Sequence, residues 1–586
     1  MLPYLSDNIK KKSKSVSAFK GINNTENRGE GELTSSLNMS AEHYPAVSVR
    51  QSRSIAKTAD VNINGAAFYN SLFYTGCSDG STVCSIYYGE NTATVSSDCD
   101  AAALRSFAAI SDSILILPDN KLYTPSDNSV TELVSEQQFT RAGALEKAEY
   151  ECNKEITEYP DYVGTLHSDG IYSAAISGNG YDSVSISPKG LAVGDIVHVS
   201  MEVHPVDALQ DKDYFAYLEL MKEGFFAKIS GLDTMKHKIY QGTITDVTNI
   251  YFDEGVINMG GYAEVTVEAI TISYKMPKLE HICAHGNRVW GTEGNSILCS
   301  ALGKAGVWYD YSADTFGTLP SSSYSVEVDS GGEFTGICSF NGSILAFKQN
   351  CLHMIHGTEP ENYTLYTRSC NGVEQGAGNT LVVINGVLYY KGTDGFYSYN
   401  GGIPVCISRN IDLDGTKALY SATDGTNYYT IAEKNGETQL LVYYPDKGIW
   451  HAESINNASL LVGNSPDIYA VCGRDIVHLH TGEVGEDFEW SFEMNFDEDT
   501  YSHKYYTRVF IKYGLADNGS FTVTTLCDDN THLTHINGAY EHTDKGYSIA
   551  VLPRIRCRDM KLRFSGKGMF KLYNITREYC LLDEKD

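Results

Sequence analysis

One local pattern dominates the chain. An apolar strand runs into a short polar turn, and a second apolar, aromatic-rich strand follows. It occurs at 66–74 around Asn70-Ser71, 107–117 around Asp112-Ser113, 282–290 around His285-Gly286-Asn287 and 337–347 around Asn341-Gly342. It recurs at 381–390 around Asn385-Gly386, 418–430 around Asp424-Gly425 and 460–471 around Asn464-Ser465. Asn-Gly and Asp-Gly between apolar runs signal hairpins, because such turns need residues that tolerate positive φ. From the fourth instance onward the spacing is roughly 40 residues, the length of one four-stranded propeller blade. A second turn often follows, as in Lys391 to Gly402 and around Pro445-Asp446-Lys447-Gly448.

The expectation is therefore an all-β chain built on a β-propeller. Candidate blades are 58–98, 104–138, 281–315, 334–372, 376–410, 416–452 and 456–490. That makes about seven, and the degenerate repeat fits six or eight as well. The blades occupy 56–140 and 279–495. Between them, 141–278 breaks the repeat. Residues 144–156 read as a short helix of good formers. Period-2 alternation follows at Val184 and Ile186, at Ile196, Val199, Met201 and Val203, and from Ala263 to Ile272. Alternation marks strands with one polar face, so 141–278 reads as an inserted β-sandwich or barrel. Residues 500–586 alternate without the repeat and read as a C-terminal β-sandwich. Residues 1–55 read as an extended arm, whose end, Ala46 to Val49, would complete a blade.

Composition narrows function. With 42% hydrophobic and 20% charged residues the chain is a folded one. A net charge of −29 argues against non-specific coating of DNA or anionic membrane, which needs Lys and Arg against phosphate. Acidity also suits a large assembly subunit that must stay soluble, or a channel wall that repels passing DNA. The N-terminus lacks the apolar run of a secretory signal, and no apolar stretch reaches the roughly 18–20 residues of a membrane helix. Folding in a cytoplasm is expected. The 14 Cys include no C-x-x-C pair; Cys77 and Cys84 flank a Gly-containing turn and could approach each other. Buried thiols are the reading favoured over disulfides or metal ligands.

Catalytic constellations are sparse. A glycan hydrolase would need facing carboxylates; Asp497-Glu498-Asp499 and Asp412 with Asp414 are acidic, but 74 acids make such pairs by chance. His478 and His480 would share a strand face, and His532, His535 and His542 lie close, yet neither set completes a metal shell. Asp79 and Asp412 head fragments of calcium-type loops without the distal Glu. There is no P-loop and no nucleophile elbow. No catalytic residue, cofactor or metal is expected.

One charge feature departs from the rest. Arg554, Arg556, Arg558, Lys561 and Arg563, followed by Lys567 and Lys571, face only Asp559. On a strand, Arg554, Arg556 and Arg558 would share a face, as would Lys561 and Arg563. Such a stripe could dock the acidic face of a neighbouring subunit, or DNA, or simply be a solvated strand face. Lys10, Lys11, Lys12 and Lys14 form a second basic run on the arm, suited to gripping a partner.

The opening, Phe19-Lys-Gly21-Ile-Asn23, then Asn38-Met-Ser40, then Tyr44-Pro45 through Arg50, resembles that of nozzle, tail-tubular and packaged-DNA-stabilisation proteins of tailed bacteriophages. The run Leu552-Pro553-Arg554 to Gly568 is similar to their closing β-sandwich. The resemblance implies a structural, non-enzymatic subunit of a cyclic homo-oligomer, often sixfold, in the virion tail. It would be assembled in the host bacterial cytoplasm with other tail or portal and adaptor proteins. Double-stranded DNA would pass through its channel without sequence-specific contacts. The 141–278 insertion has no counterpart in that pattern. Two other readings stay open: a receptor- or glycan-binding tail protein using Tyr214, Phe215, Tyr217, Phe225 and Phe226 of the insertion, and a propeller polysaccharide hydrolase.

Overall fold

The computed structural model describes residues 11–26, 28–133, 277–310, 320–481, 488–496, 503–515, 519–528 and 557–581 with their side chains. It also describes the backbone strands lying within 136–275, 313–318, 531–551 and at 556. Among the described residues the chain is all-β, with only a 3-10 turn at Gly378–Thr380, and no helix is long and apolar enough to cross a membrane. The expected helix at 144–156, and Val184 and Ile186, lie outside the described residues.

The chain divides into two compact units. The first comprises Met1–Arg105, Phe347–Leu352 and Thr367–Asp586; the second comprises Ser106–Ala346 and His353–Tyr366.

In the first unit, strands Asn62–Tyr69, Ser71–Cys77, Cys84–Tyr88 and Asn91–Ser96 form one antiparallel meander. A second runs from Val382–Ile384 to Val405–Cys406, and a third from Thr416–Thr423 to Ile449–Ser454. In the fourth, Ala458–Asn464, Asp467–Cys472 and Asp475–His478 take their outer strand from far upstream: Ser54–Thr58 pairs antiparallel with Asp475–His478. Successive meanders pack face to face. Ile384, Phe396 and Tyr389 meet Tyr428, Leu441 and Trp450. Tyr429, Ile431 and Val442 meet Leu461, Ile468 and Ala470. Val462, Val471 and Ile476 meet Val61, Ile63 and Tyr74.

The second unit repeats the theme. Strands Ser106–Ile110 to Ser129–Glu132 make one meander; His281–His285, Arg288–Glu293, Ser296–Cys299 and Tyr324–Glu327 make another; most of a third, Phe334–Phe340 to Thr364–Ser369, also belongs to this unit. Leu115 and Ala108 pack on Val289 and Leu298, and Trp290 and Cys299 pack on Phe334 and Ile344. Between the first two in sequence comes a five-stranded sheet in the order Glu136–Thr140, Ile270–Lys275, Ile196–Val199, Phe225–Tyr240, Thr243–Phe252, and the same stretch forms two short two-stranded ladders.

All seven sequence turns fall where a strand reverses, but the turns differ. Gly286 and Asn287, Asn341 and Gly342, and Asn385 and Gly386 each place both residues at positive φ, which suits the right-handed twist of the flanking strands. The Asp424-Gly425 turn is wider. The Asp424 carboxylate accepts from the N–H of Thr426 and of Asn427, both at 2.7 Å, in an Asx arrangement.

Residues 504–581 and the arm make a β-sandwich. One sheet orders Met39–Ser40, Val47–Val49, Phe570–Leu581, Lys504–Leu515 and Gly546–Val551, with Lys11–Val16 added along Phe570–Leu581 and Arg556–Cys557 along Lys504–Leu515. Its partner is part of a nine-stranded sheet in which Ser35–Leu37 lies between Ile449–Ser454 and Glu489–Phe496. Phe19, Leu33, Trp490, Phe492, Phe564, Phe570 and Ile575 fill the space between them. The expectation that Ala46 to Val49 finishes a blade is corrected here. Val47 and Ser48 register with Leu572 and Lys571 in the sandwich, and Ser54–Thr58 takes the blade position. So short a strand carries no information about its partner, and Val47 and Val49 enter the sandwich core.

Candidate assembly surface

The arm is fastened residue by residue along Ile449–Ser454. Phe19 sits in the sandwich core, and its N–H donates to Pro45 O at 3.0 Å. Gly21 adopts φ 77; a Cβ there would lie 2.5 Å from Trp450 O, so close approach and backbone conformation both demand glycine. Asn23 bridges the arm to itself: Nδ2 donates to Glu32 Oε2 (2.7 Å), and Oδ1 accepts from Thr25 N (3.0 Å). Ser36 shares a hydrogen bond of 2.8 Å with Nδ1 of His451, whose burial lowers its pKa to about 3. Asn38, at φ 58 and buried, donates Nδ2–H to Glu489 O at 2.7 Å. Ser40 accepts from Tyr444 OH at 3.0 Å. Arg50 stacks on the Phe488 ring, 3.8 Å from its centroid. Partly buried Arg53 and buried Glu453 pair at 2.6 Å, and Arg53 also donates to Ser454 O.

The strand that carries most of the arm's basic run pairs within its own chain. Lys10 lies outside the described residues. Lys11, Lys12 and Lys14 stand on Lys11–Val16, which registers with Cys580 to Ile575 of the last strand. Alternation splits the run between two faces. Lys11 shares a face with Ser15, whose hydroxyl meets Thr576 Oγ1 at 2.9 Å; Lys12 and Lys14 share the other with Val16, which enters the core. Lys11 and Lys12 are exposed.

The C-terminal stripe is likewise divided. Arg554 lies outside the described residues. Arg556 is on the short strand opposite Tyr505, its side chain undescribed, and Arg558 is exposed at the following bend. Lys561 and Arg563 belong to the opposite sheet, on Met560–Lys567, whose Leu562 and Phe564 point into the core. On the outer face Arg563 is opposite Glu493 and donates to it at 2.8 Å, and Lys567 meets Glu489 at 3.6 Å. The arm cations and Lys561–Arg563 thus stand on different sheets, and the second group is partly balanced by a neighbouring acidic strand.

His478 and His480 do not converge. His478 stacks on Tyr469 and faces Asp467 at 3.1 Å, whereas His480 accepts from or donates to Tyr429 OH at 2.8 Å. His532 and His535 are on Thr531–Ala539 with side chains undescribed, and His542 is outside the description. Asp79 pairs with Arg474, which holds its carboxyl below the usual range, and Asp412 is lowered by the Asp414 N–H and by Lys434. Asp497, Glu498, Asp499, Tyr214, Phe215 and Tyr217 lie outside the described residues.

No protein-family model and no curated protein sequence matches the chain. Similar solved structures include a streptogramin B lyase, at 8% identity and TM-score 0.32, covering 73% of this chain and 97% of the other. Virginiamycin B lyase from Staphylococcus aureus has 9% identity and TM-score 0.25, covering 73% and 98%. An exo-beta-1,3-galactanase from Phanerochaete chrysosporium has 9% identity and TM-score 0.21, covering 51% and 95%. With TM-scores this low they carry no argument about this chain.

Proposed function

We propose that this chain is a structural, non-enzymatic subunit of a tailed-bacteriophage tail, a nozzle, hub or adaptor ring that lines or closes the DNA-ejection channel. The observation that carries the reading is where the tail-protein-like opening falls. Phe19, Gly21, Asn38, Ser40 and Arg50 contact a meander or the C-terminal sandwich, and Asn23 and Pro45 hold the arm to itself.

In this reading the seven meanders are the blades of one propeller, Ser54–Thr58 is its closing strand, and 141–278 is an inserted β-domain. The partners are further copies in a cyclic, sixfold ring, neighbouring tail or portal proteins, and DNA in transit. The acidic surface repels phosphate, so the duplex slides instead of sticking. Electron microscopy of the purified full-length chain tests this. Closed rings of defined symmetry are expected, and a monomer at micromolar concentration that is also missing from phage particles would overturn it.

A further inference from the structure

Three thiols converge in the first meander. Cys77 ends Ser71–Cys77, Cys84 begins Cys84–Tyr88, and the two stand directly opposite each other in the ladder. Cys99 arrives from beyond Asn91–Ser96, its N–H donating to Thr82 O at 2.9 Å. The three Sγ atoms lie within 4.8 Å of one another, and Cys77 and Cys99 are 3.4 Å apart. Cys77 and Cys84 are buried, while Cys99 is partly exposed and leaves an approach from solvent.

A buried cation stands behind them. The Asn64 amide oxygen lies 3.4 Å from Cys77 Sγ. It accepts from Arg105 Nη1 at 2.8 Å and the amide nitrogen donates to Thr75 O at 3.1 Å, the orientation that a guanidinium requires. Arg105 is itself buried, held by Asp100 O and Ala103 O at 2.8 and 2.6 Å.

We propose that Cys77, Cys84 and Cys99 bind one zinc ion as thiolates, with water completing the shell on the Cys99 side. Zinc–sulfur bonds of about 2.3 Å place sulfurs roughly 3.8 Å apart in a tetrahedron, so the observed spacing closes onto an ion with small side-chain movements. Zinc suits the all-sulfur set, because thiolates select soft or borderline metals over calcium and magnesium. Binding releases the thiol protons and reinforces the link between the 78–83 turn and the 97–99 segment, where the Cys99 N–H donates to Thr82 O and the Thr82 hydroxyl to Ser97 O. Simple packing of three small apolar side chains explains their burial, but not why sulfurs from three segments face one point.

The test uses the full-length chain purified under reducing conditions without chelator. Metal content is measured by mass spectrometry, and the demetallated protein is titrated with cobalt(II) while sulfur-to-cobalt charge-transfer absorption is followed. One zinc per chain is expected, with three fewer thiols reacting in native buffer than after chelation. Cys84→Ser and the rim variant Cys99→Ser are expected to weaken zinc at least about tenfold, while Cys406→Ser keeps full occupancy. The cobalt titration of the unsubstituted chain decides the matter even where Cys84→Ser fails to fold. Absence of a charge-transfer band, undiminished zinc in both variants, or a Cys77–Cys99 disulfide in the freshly isolated chain would each overturn the assignment.

Discussion

Arg50 Nε donates to Asn38 Oδ1 at 3.1 Å, and that same oxygen accepts from Ser454 N at 2.9 Å. One amide thus joins the two ends of an arm loop to a strand more than 400 positions away. Asn38→Ala removes these bonds from a buried site and leaves a Cβ at positive φ. A loss of about 2–4 kcal/mol is expected from urea denaturation. Asn38→Gly isolates the amide's share, because it relieves the backbone; it is expected to cost less than alanine.

Gly21→Ala forces a methyl group against Trp450 O in a left-handed conformation. The expected loss is at least about 2 kcal/mol, with a lowered thermal midpoint. Gly436→Ala, at φ 81 in an open hairpin turn with nothing near its Cβ, separates the two causes: it carries only the backbone penalty and is expected to cost roughly 1–2 kcal/mol.

His451 is held neutral by burial, its pKa lowered from 6.5 to about 3. Between those values the unfolded chain binds a proton that the folded chain does not. Its contribution is complete above pH 6.5 and is lost progressively as pH falls toward 3, with a slope of up to about 1.4 kcal/mol per pH unit. Burial also lowers His281 and His480, in the same direction. Urea midpoints at pH 7.5 and 5.0 should differ markedly for the natural chain and by less for His451→Gln; equal differences would remove His451 from the account.

Charge reversal at Lys561 and Arg563 tests the stripe. Arg563 is exposed but its partner Glu493 is largely buried, so Lys561→Glu with Arg563→Glu, which sets a second carboxylate opposite Glu493, is expected to lower the thermal midpoint while the chain stays folded at room temperature. Size-exclusion chromatography with light scattering should show loss of the assembled species and a steeper dependence on salt. Unaltered assembly would assign the stripe to a solvated face.

The hairpins were legible because their cause is local: Asn385 and Gly386 announce their turn in two letters. Two outer strands were not. Tyr324–Glu327 rejoins its meander only after residues 300–323 intervene, and Ser54–Thr58 pairs with a strand whose Asp475 is 417 positions from Thr58. No short-range pattern encodes such a partner. The alternation that puts Lys561 and Arg563 on one face was readable, but the balancing Glu493 was not, since it lies 70 positions earlier. The nearness of Cys77 and Cys84 followed from their turn; the arrival of Cys99 did not.

The placement of Ser35–Leu37 between Ile449–Ser454 and Glu489–Phe496 sets the timetable of biosynthesis. That strand and Ser54–Thr58 leave the ribosome early but cannot find their partners until more than 400 further residues have been made. Throughout that interval an incomplete edge and an uncovered apolar stripe are open to stray pairing, the condition under which slow, high-contact-order chains aggregate. Yield from expression should therefore respond to chaperone supply and growth temperature more strongly than the finished molecule's resistance to denaturant would suggest.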